Sequence, residues 1–257
     1  MQALPCVGRR RLRVVSFSDA TPMKLTIIQT GEVPAPLRSR FVPYRQMFEA
    51  MFDRTGQGFE YQTINIADGE PFPHLDRLEG VVITGSAAGV YDKLAWLDPL
   101  RDFIRKGYQQ RTPMLGVCFG HQIMADALGG EVRKSHKGWG LGRHTYAVTQ
   151  RPRYMQAAPA SLAIACSHQD QVITPPANAE VILASAFTPN AGLAYGNGAA
   201  LSLQPHPEFD DAYTVALAEL RRGNVPDELV DTAVSSIATP SDSAQTADYI
   251  ARFFKKS

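Results

Sequence analysis

From Met23 onward, short runs of apolar and β-branched residues alternate with longer stretches whose apolar side chains recur at helical spacing. Strand and helix periods taking turns along one chain mark βαβ units around a largely parallel sheet, because each helix must lay its apolar stripe on a sheet face to leave water. Leu25–Gln29 reads as the first strand. Residues 43–55 follow as a helix, with Met47, Phe48, Met51 and Phe52 on one face and Gly56 and Gly58 as its stop. Phe59–Ile66 alternates as a second strand, and Gly80–Thr84 is a short apolar third one. Residues 97–108 carry Leu97, Leu100, Phe103, Ile104 and Tyr108 at helical spacing, and Pro113 opens the strand Met114–Val117.

Between residues 131 and 204 the helical period disappears. Tyr146–Thr149, Leu162–Ala165, Gln171–Thr174, Val181–Ala186, Gly192–Tyr195 and Ala200–Gln204 read as strands broken by Pro, Asn and Gly turns. They are expected to add an antiparallel extension to the parallel core, with Lys134–His144 left as an unassigned loop. Residues 211–222, 226–237 and 243–256 return to helical spacing, the last with Tyr249, Ile250, Phe253 and Phe254 on one face. The fold class is α/β, in a single domain over residues 23–257. Residues 1–22, with Arg9, Arg10, Arg11 and Arg13, lack the apolar core of a secretory signal and read as an extension outside that domain, either a transit peptide or an upstream start.

Hydrophobic residues make up 44% of the 257, enough for a sizeable core and too many for a disordered chain. Lys plus Arg number 26 against 25 Asp plus Glu, so no global field draws this chain to nucleic acid or an anionic membrane. No apolar run approaches the roughly 18 residues of a membrane helix. The three cysteines, Cys6, Cys118 and Cys166, are too scattered for a disulfide framework or a metal knuckle, which fits a reducing, cytoplasmic setting. Any function is therefore expected in a localised site.

One cysteine stands apart. Gly116-Val-Cys118-Phe-Gly120 lies where the strand 114–117 gives way to an apolar helix that ends at Gly129-Gly130. A reactive residue between two small neighbours at a strand-to-helix switch has the form of a nucleophile elbow. A cysteine among aliphatic residues is ordinarily a small core hydrophobe; glycines at both i−2 and i+2 turn the reading toward chemistry. Unpaired N–H groups and the macrodipole at a helix start favour negative charge. A thiol with the ordinary pKa of about 8.5 is roughly 3% ionised at pH 7, whereas one shifted to about 6 is roughly 90% thiolate. Cys6 and Cys166 lack such flanks and read as structural.

A cysteine nucleophile needs a base, and the base needs a group to orient it. His206, in Gln204-Pro-His-Pro-Glu-Phe209, ends an apolar strand, and parallel sheets present catalytic groups at that edge. Glu208 follows at i+2, on the same side of an extended segment, and the flanking prolines stiffen it. Alone this would be a surface loop with a chance His-x-Glu; with the elbow it completes a Cys-His-Glu set.

Gly-Val-Cys118-Phe-Gly-His-Gln122 together with Pro-His206-Pro-Glu208 resembles the class I, or triad, glutamine amidotransferases, in the branch similar to the glutaminase domain of GMP synthase. The resemblance covers roughly residues 24–210. It implies a flavodoxin-like three-layer αβα fold, hydrolysis of a γ-glutamyl amide through a thioester, and no cofactor. Carried over, Cys118 is the nucleophile, His206 the general base and then acid, and Glu208 the group that orients His206. The implied oxyanion hole uses the backbone N–H groups of Phe119 and Ser86. Gly85-Ser86-Ala87 stands where the family has Gly-Gly-Pro, and the lost glycine restricts φ in that loop. Gln122, with Gly85, Ser167, His168 and Gln169, is implied to hold the amino-acid end of the substrate.

His121 reads as the maker of a local hydrogen bond. No histidine pair has metal-ligand spacing, so no metal is expected. The Lys137–Gly142 run does not join a strand to a helix and is no dinucleotide loop. With no Walker A sequence and no second catalytic domain, the chain reads as a glutaminase that feeds ammonia to a separate synthase subunit, or as a self-sufficient γ-glutamyl peptide or γ-glutamyl amine hydrolase. A non-catalytic or redox-sensing partner protein is the third reading, and it has no use for His206 or Glu208.

Overall fold

The computed structural model describes residues 21–255. The extension expected over residues 1–22 lies outside the described residues except for Thr21 and Pro22. Along the chain come β1 (Met23–Gln29), α1 (Tyr44–Asp53), β2 (Phe59–Asn65), β3 (Gly80–Ile83), α2 (Leu97–Gln109), β4 (Met114–Val117) and α3 (Phe119–Ala127). The β-rich stretch contributes β5 (Glu131–Lys134), β6 (Gly140–Val148), β7 (Ser161–His168), β8 (Asp170–Thr174), β9 (Ala179–Ala184), β10 (Gly192–Tyr195) and β11 (Ala200–Leu203). Helices α4 (Asp211–Glu219), α5 (Asp227–Ser235) and α6 (Ser243–Lys255) follow.

The main sheet has nine strands in the order β2-β1-β3-β4-β11-β10-β9-β6-β7. Its first five are mutually parallel, in the order a flavodoxin-like doubly wound sheet requires. From β11 onward the neighbours β10, β9, β6 and β7 pair antiparallel. The parallel core with an antiparallel extension is thus the architecture the hydrophobic pattern calls for. β5 and β8 form a separate two-stranded antiparallel sheet.

The short strands of the parallel core are buried along their whole length, as a sheet covered on both faces demands. On one face Phe48, Met51 and Phe52 of α1 pack with Ile250, Phe253 and Phe254 of α6. On the other, Leu100, Phe103 and Ile104 of α2 pack with Phe119, Ile123 and Met124 of α3. These two apolar layers make the three-layer αβα core.

The expectation that Lys134–His144 is a loop needs correction, since Gly140–His144 belongs to β6 and Lys134 ends β5. Gly140 pairs with His168 and His144 with Ile164. The strand was illegible because its glycines carry no side chain to display the alternation. Gly142 is a glycine for packing, since a Cβ there would sit 2.5 Å from the Ala233 carbonyl of α5. Among the described residues, no helix is long and apolar enough to cross a membrane.

Candidate active site

Three adjacent strands of the parallel core, β3, β4 and β11, end at the same edge, and each hands one part of the site to that edge. Register fixes the arrangement, with Ile83 beside Gly116 and Val117 beside Leu203. Cys118 follows β4 and opens α3 with φ +54° and ψ −104°, a conformation an L-residue adopts only under strain. Its N–H donates to the Leu203 carbonyl at 2.8 Å, which ties the elbow to β11. Both flanking glycines are needed: a Cβ on Gly116 would lie 2.4 Å from the Gly120 carbonyl, and one on Gly120 would lie 2.2 Å from that of Ile83.

His206 emerges just past β11. Its N–H donates to Ala165 O at 2.8 Å, fixing the backbone against β7. Its ring stacks on Phe209 with centroids 3.9 Å apart and planes 7° from parallel, so the imidazole has little freedom to swing. Nδ1–H donates to Glu208 Oε1 at 2.7 Å, which leaves Nε2 without a protein hydrogen-bond partner among the described residues. Cys118, His206 and Glu208 are only 6%, 4% and 4% exposed. Burial opposes a charged imidazole, but the charge and hydrogen bond of Glu208, with Cys118 close by, outweigh it and push the His206 pKa up to about 10. The three sequence-derived residues therefore converge, with imidazolium the favoured form of His206 beside Glu208.

The loop after β3 packs against this pair. A Cβ on Gly85 would lie 3.1 Å from His206 Cε1 and 3.7 Å from Cys118 Cβ, so any larger residue there would press on the imidazole. The Ser86 hydroxyl donates to Thr30 O at 2.8 Å and accepts from Ala88 N–H at 3.1 Å. The serine that replaces the second glycine is thus a clamp on the loop. Among the described residues, the N–H groups of Ser86 and Phe119 meet no protein acceptor. Two free donors flanking a buried thiol suit an oxygen that becomes negative.

An open cleft of about 290 Å³ reaches the thiol and brings together Ser86, Cys118, Gln122, Ser167, His168 and Gln169. Gln122 Nε2 donates to Asp170 O at 2.9 Å and to Gln204 Oε1 at 3.2 Å, which orients its amide. His168 is buried, with Nδ1 3.1 Å from Asp170 O, and burial lowers its pKa to about 3, so the ring stays neutral. His121 meets Ser202 Oγ at 2.8 Å behind the elbow and is likewise neutral, its pKa lowered to about 3 by burial. Burial raises the Cys166 thiol above the ordinary range, which leaves it inert within β7. Among the described residues, no group of three or more His, Cys, Asp or Glu side chains could hold a metal ion.

Sequence reasoning missed part of the cleft wall. Tyr91, from the loop after β3, donates its hydroxyl to Asp170 Oδ2 at 2.7 Å and bridges two sides of the opening. Trp139 also lines the cleft, with Arg221 stacked over its ring at 3.9 Å. These residues come from separate segments and share no spacing. Only the topology, which seats β6 beside β7 and α4 beside both, brings them together.

Comparison with known proteins agrees with this geometry. Residues 51–213, more than half of the chain, match the family model described as glutamine amidotransferase class-I. The chain is 29% identical over 204 residues to γ-glutamyl peptidase 4 of Arabidopsis thaliana, covering 76% of this chain and 80% of the relative. It is 26% identical over 147 residues to a glutamine-hydrolysing GMP synthase subunit of Sulfolobus acidocaldarius, covering 57% and 76%. A glutamine amidotransferase from Thermotoga maritima superposes with a TM-score of 0.70 at 21% identity, over 93% of this chain and all of that one, a likeness of fold. The elbow, the sheet order and the family match lead to one statement: the chain belongs to the class I glutamine amidotransferase family.

Proposed function

We propose that this chain cleaves the γ-amide bond of glutamine, or of another γ-glutamyl compound, through a thioester on Cys118. The observation that carries the reading is the buried hydrogen bond between Glu208 and His206 with Cys118 beside the ring, where Gly85 packs against both, at the floor of an open cleft. The Cys118 thiolate attacks the γ-carbonyl carbon, and the oxyanion that forms is held by the N–H groups of Phe119 and Ser86. Each such donor is worth about 3 kcal/mol in comparable acyl transfers. His206 gives its proton to the departing nitrogen, the C–N bond breaks, and the acyl group stays on sulfur. Water then loses a proton to His206 and attacks the thioester, releasing glutamate and restoring the thiolate–imidazolium pair.

Gln122 and the Ser167–Gln169 segment are proposed to hold the α-amino and α-carboxylate groups of the glutamyl moiety, being the polar cleft groups beside the nucleophile. Two fates of the leaving nitrogen remain within this reading. Ammonia from glutamine would pass to a separate synthase subunit, as the name of the GMP synthase relative suggests. Release of an amino acid from a γ-glutamyl peptide needs no partner and is supported by the open cleft over Cys118 and by the γ-glutamyl peptidase relatives. The domain that does this is proposed to begin at Met23.

The test is glutamate release by the purified protein from glutamine and a panel of γ-glutamyl peptides and amines, for wild type and Cys118→Ala. Turnover that vanishes in the variant supports the thioester mechanism. Turnover that survives it overturns the mechanism, and rapid peptide cleavage without a partner decides against a synthase subunit.

A further inference from the structure

The cleft contains a guanidinium that the triad chemistry leaves unused. Arg221 lies just past the end of α4, and its side chain rests on the Trp139 ring, Cζ 3.9 Å from the centroid, where both residues line the cleft beside Cys118. Its neighbour Arg222 is ion-paired with Glu219 and Asp231, both at 2.8 Å. Among the described residues, Arg221 has no such counter-charge, and its Nε is buried without a hydrogen-bond partner. A half-buried arginine fixed by a cation–π stack, with its fork unspent, is shaped to receive a carboxylate from outside the protein.

Its position says which end of the substrate it faces. Tyr213 and Leu217 of α4, with Leu220 just past it, pack in one cluster with Phe209, the ring stacked on His206, so Arg221, which follows Leu220, is on the His206–Glu208 side of the site. The departing nitrogen must also be on that side, because it takes its proton from His206. Gln122, Asp170 and Tyr91, on the wall assigned to the glutamyl end, form a separate hydrogen-bonded set. Ammonia would give Arg221 nothing to hold; an amino acid leaving through its α-nitrogen carries a carboxylate two bonds away from that nitrogen.

We propose that Arg221, carried on Trp139, binds the α-carboxylate of the leaving residue, so that the site selects γ-glutamyl amino acids over glutamine. The inference rests on the reading that Cys118 cleaves γ-glutamyl amides. The chemistry is unchanged: the S–C bond forms, the C–N bond breaks, the proton of His206 goes to the amino nitrogen, and the free amino acid leaves with its carboxylate on Arg221. A hydrogen-bonded charge pair of this kind is worth about 1.5–3 kcal/mol, or roughly 10- to 150-fold in kcat/KM, appearing mainly in KM.

The test compares γ-glutamyl-alanine with γ-glutamyl-alaninamide, which differ only in the charge at that carboxyl group, on the full-length protein. Wild type is expected to prefer the acid by at least about 10-fold in kcat/KM. In Arg221→Gln that ratio should fall to near 1, and Arg221→Lys should restore part of it. A ratio is insensitive to general damage, because a misfolded fraction scales both substrates alike. Equal, Cys118-dependent cleavage of both by wild type overturns the role of Arg221 while leaving the thioester mechanism standing. A preference that survives Arg221→Gln but is lost in Lys134→Gln moves the role to the other cation of the cleft and likewise overturns it. Cleavage of neither substrate, nor of glutamine, overturns both readings.

Discussion

Replacing Glu208 by Gln changes one charge in the site and almost no volume. Glu208 Oε1 accepts from His206 Nδ1 at 2.7 Å with both residues buried, so the carboxylate stabilises the imidazolium directly. With charge centres about 4 Å apart and an effective dielectric constant of about 20, the attraction is about 4 kcal/mol. An amide in the same place still accepts a neutral hydrogen bond worth about 1 kcal/mol. The net loss of about 3 kcal/mol corresponds to roughly a 100-fold fall in kcat/KM. The His206 pKa, pushed up to about 10 partly by Glu208, must fall in the variant, so the alkaline limb of the rate profile should move to lower pH. The assay is continuous glutamate release between pH 6 and 10.5, with circular dichroism to confirm that the isosteric variant folds. A rate within about threefold of wild type together with an unmoved alkaline limb would refute this role for Glu208.

The strain at Cys118, with φ +54°, should be measurable as stability: Cys118→Gly is expected to melt about 2–6 °C above Cys118→Ala, both being inactive, and equal melting points would deny the strain. Gly85→Ala should cost about 10-fold in kcat with little change in melting temperature, since its Cβ would crowd His206 Cε1 at 3.1 Å and displace the ring by tenths of an ångström. His121 and His168 have folded pKa values lowered to about 3, so unfolding binds extra protons below about pH 6.5, and stability present above that pH is lost as the pH falls toward 3. Urea unfolding from pH 7 to 4.5 should show a slope that drops by close to one proton in His168→Gln; an unchanged slope would place a charged histidine at 168. His206 acts in the opposite sense: its stabilisation is complete below about pH 6.5 and fades as the pH rises through about 10, so the stability gap between wild type and His206→Ala should narrow in alkali.

The meeting of Cys118, His206 and Glu208 was legible in the sequence because each sits within a few residues of a strand end, and strand ends in a parallel sheet share an edge. Gly116 and Gly120 marked the elbow because their absent side chains are a steric requirement that spacing alone can reveal. Ser86 invited the opposite lesson: the missing glycine suggested a stiffer loop, and the hydroxyl bonds to Thr30 and Ala88 supply a second reason for stiffness that sequence could not display. Gly140–His144 hid its strand because a face built of glycines has no period. Arg221 and Trp139 were beyond local reading altogether, since their contact joins the residue before β6 to the turn after α4. Long-range pairs of this kind are set by tertiary packing, and no local pattern encodes them.

The central chemical claim is a covalent γ-glutamyl thioester on Cys118. Acid quenching of the protein during its first turnovers on a γ-glutamyl substrate, followed by peptide mass mapping, tests it directly. The expected result is one glutamyl group on the Cys118 peptide, formed in step with release of the first equivalent of ammonia or amine. Release of that first equivalent with Cys118 unmodified, or a glutamyl group on any other residue, would contradict it.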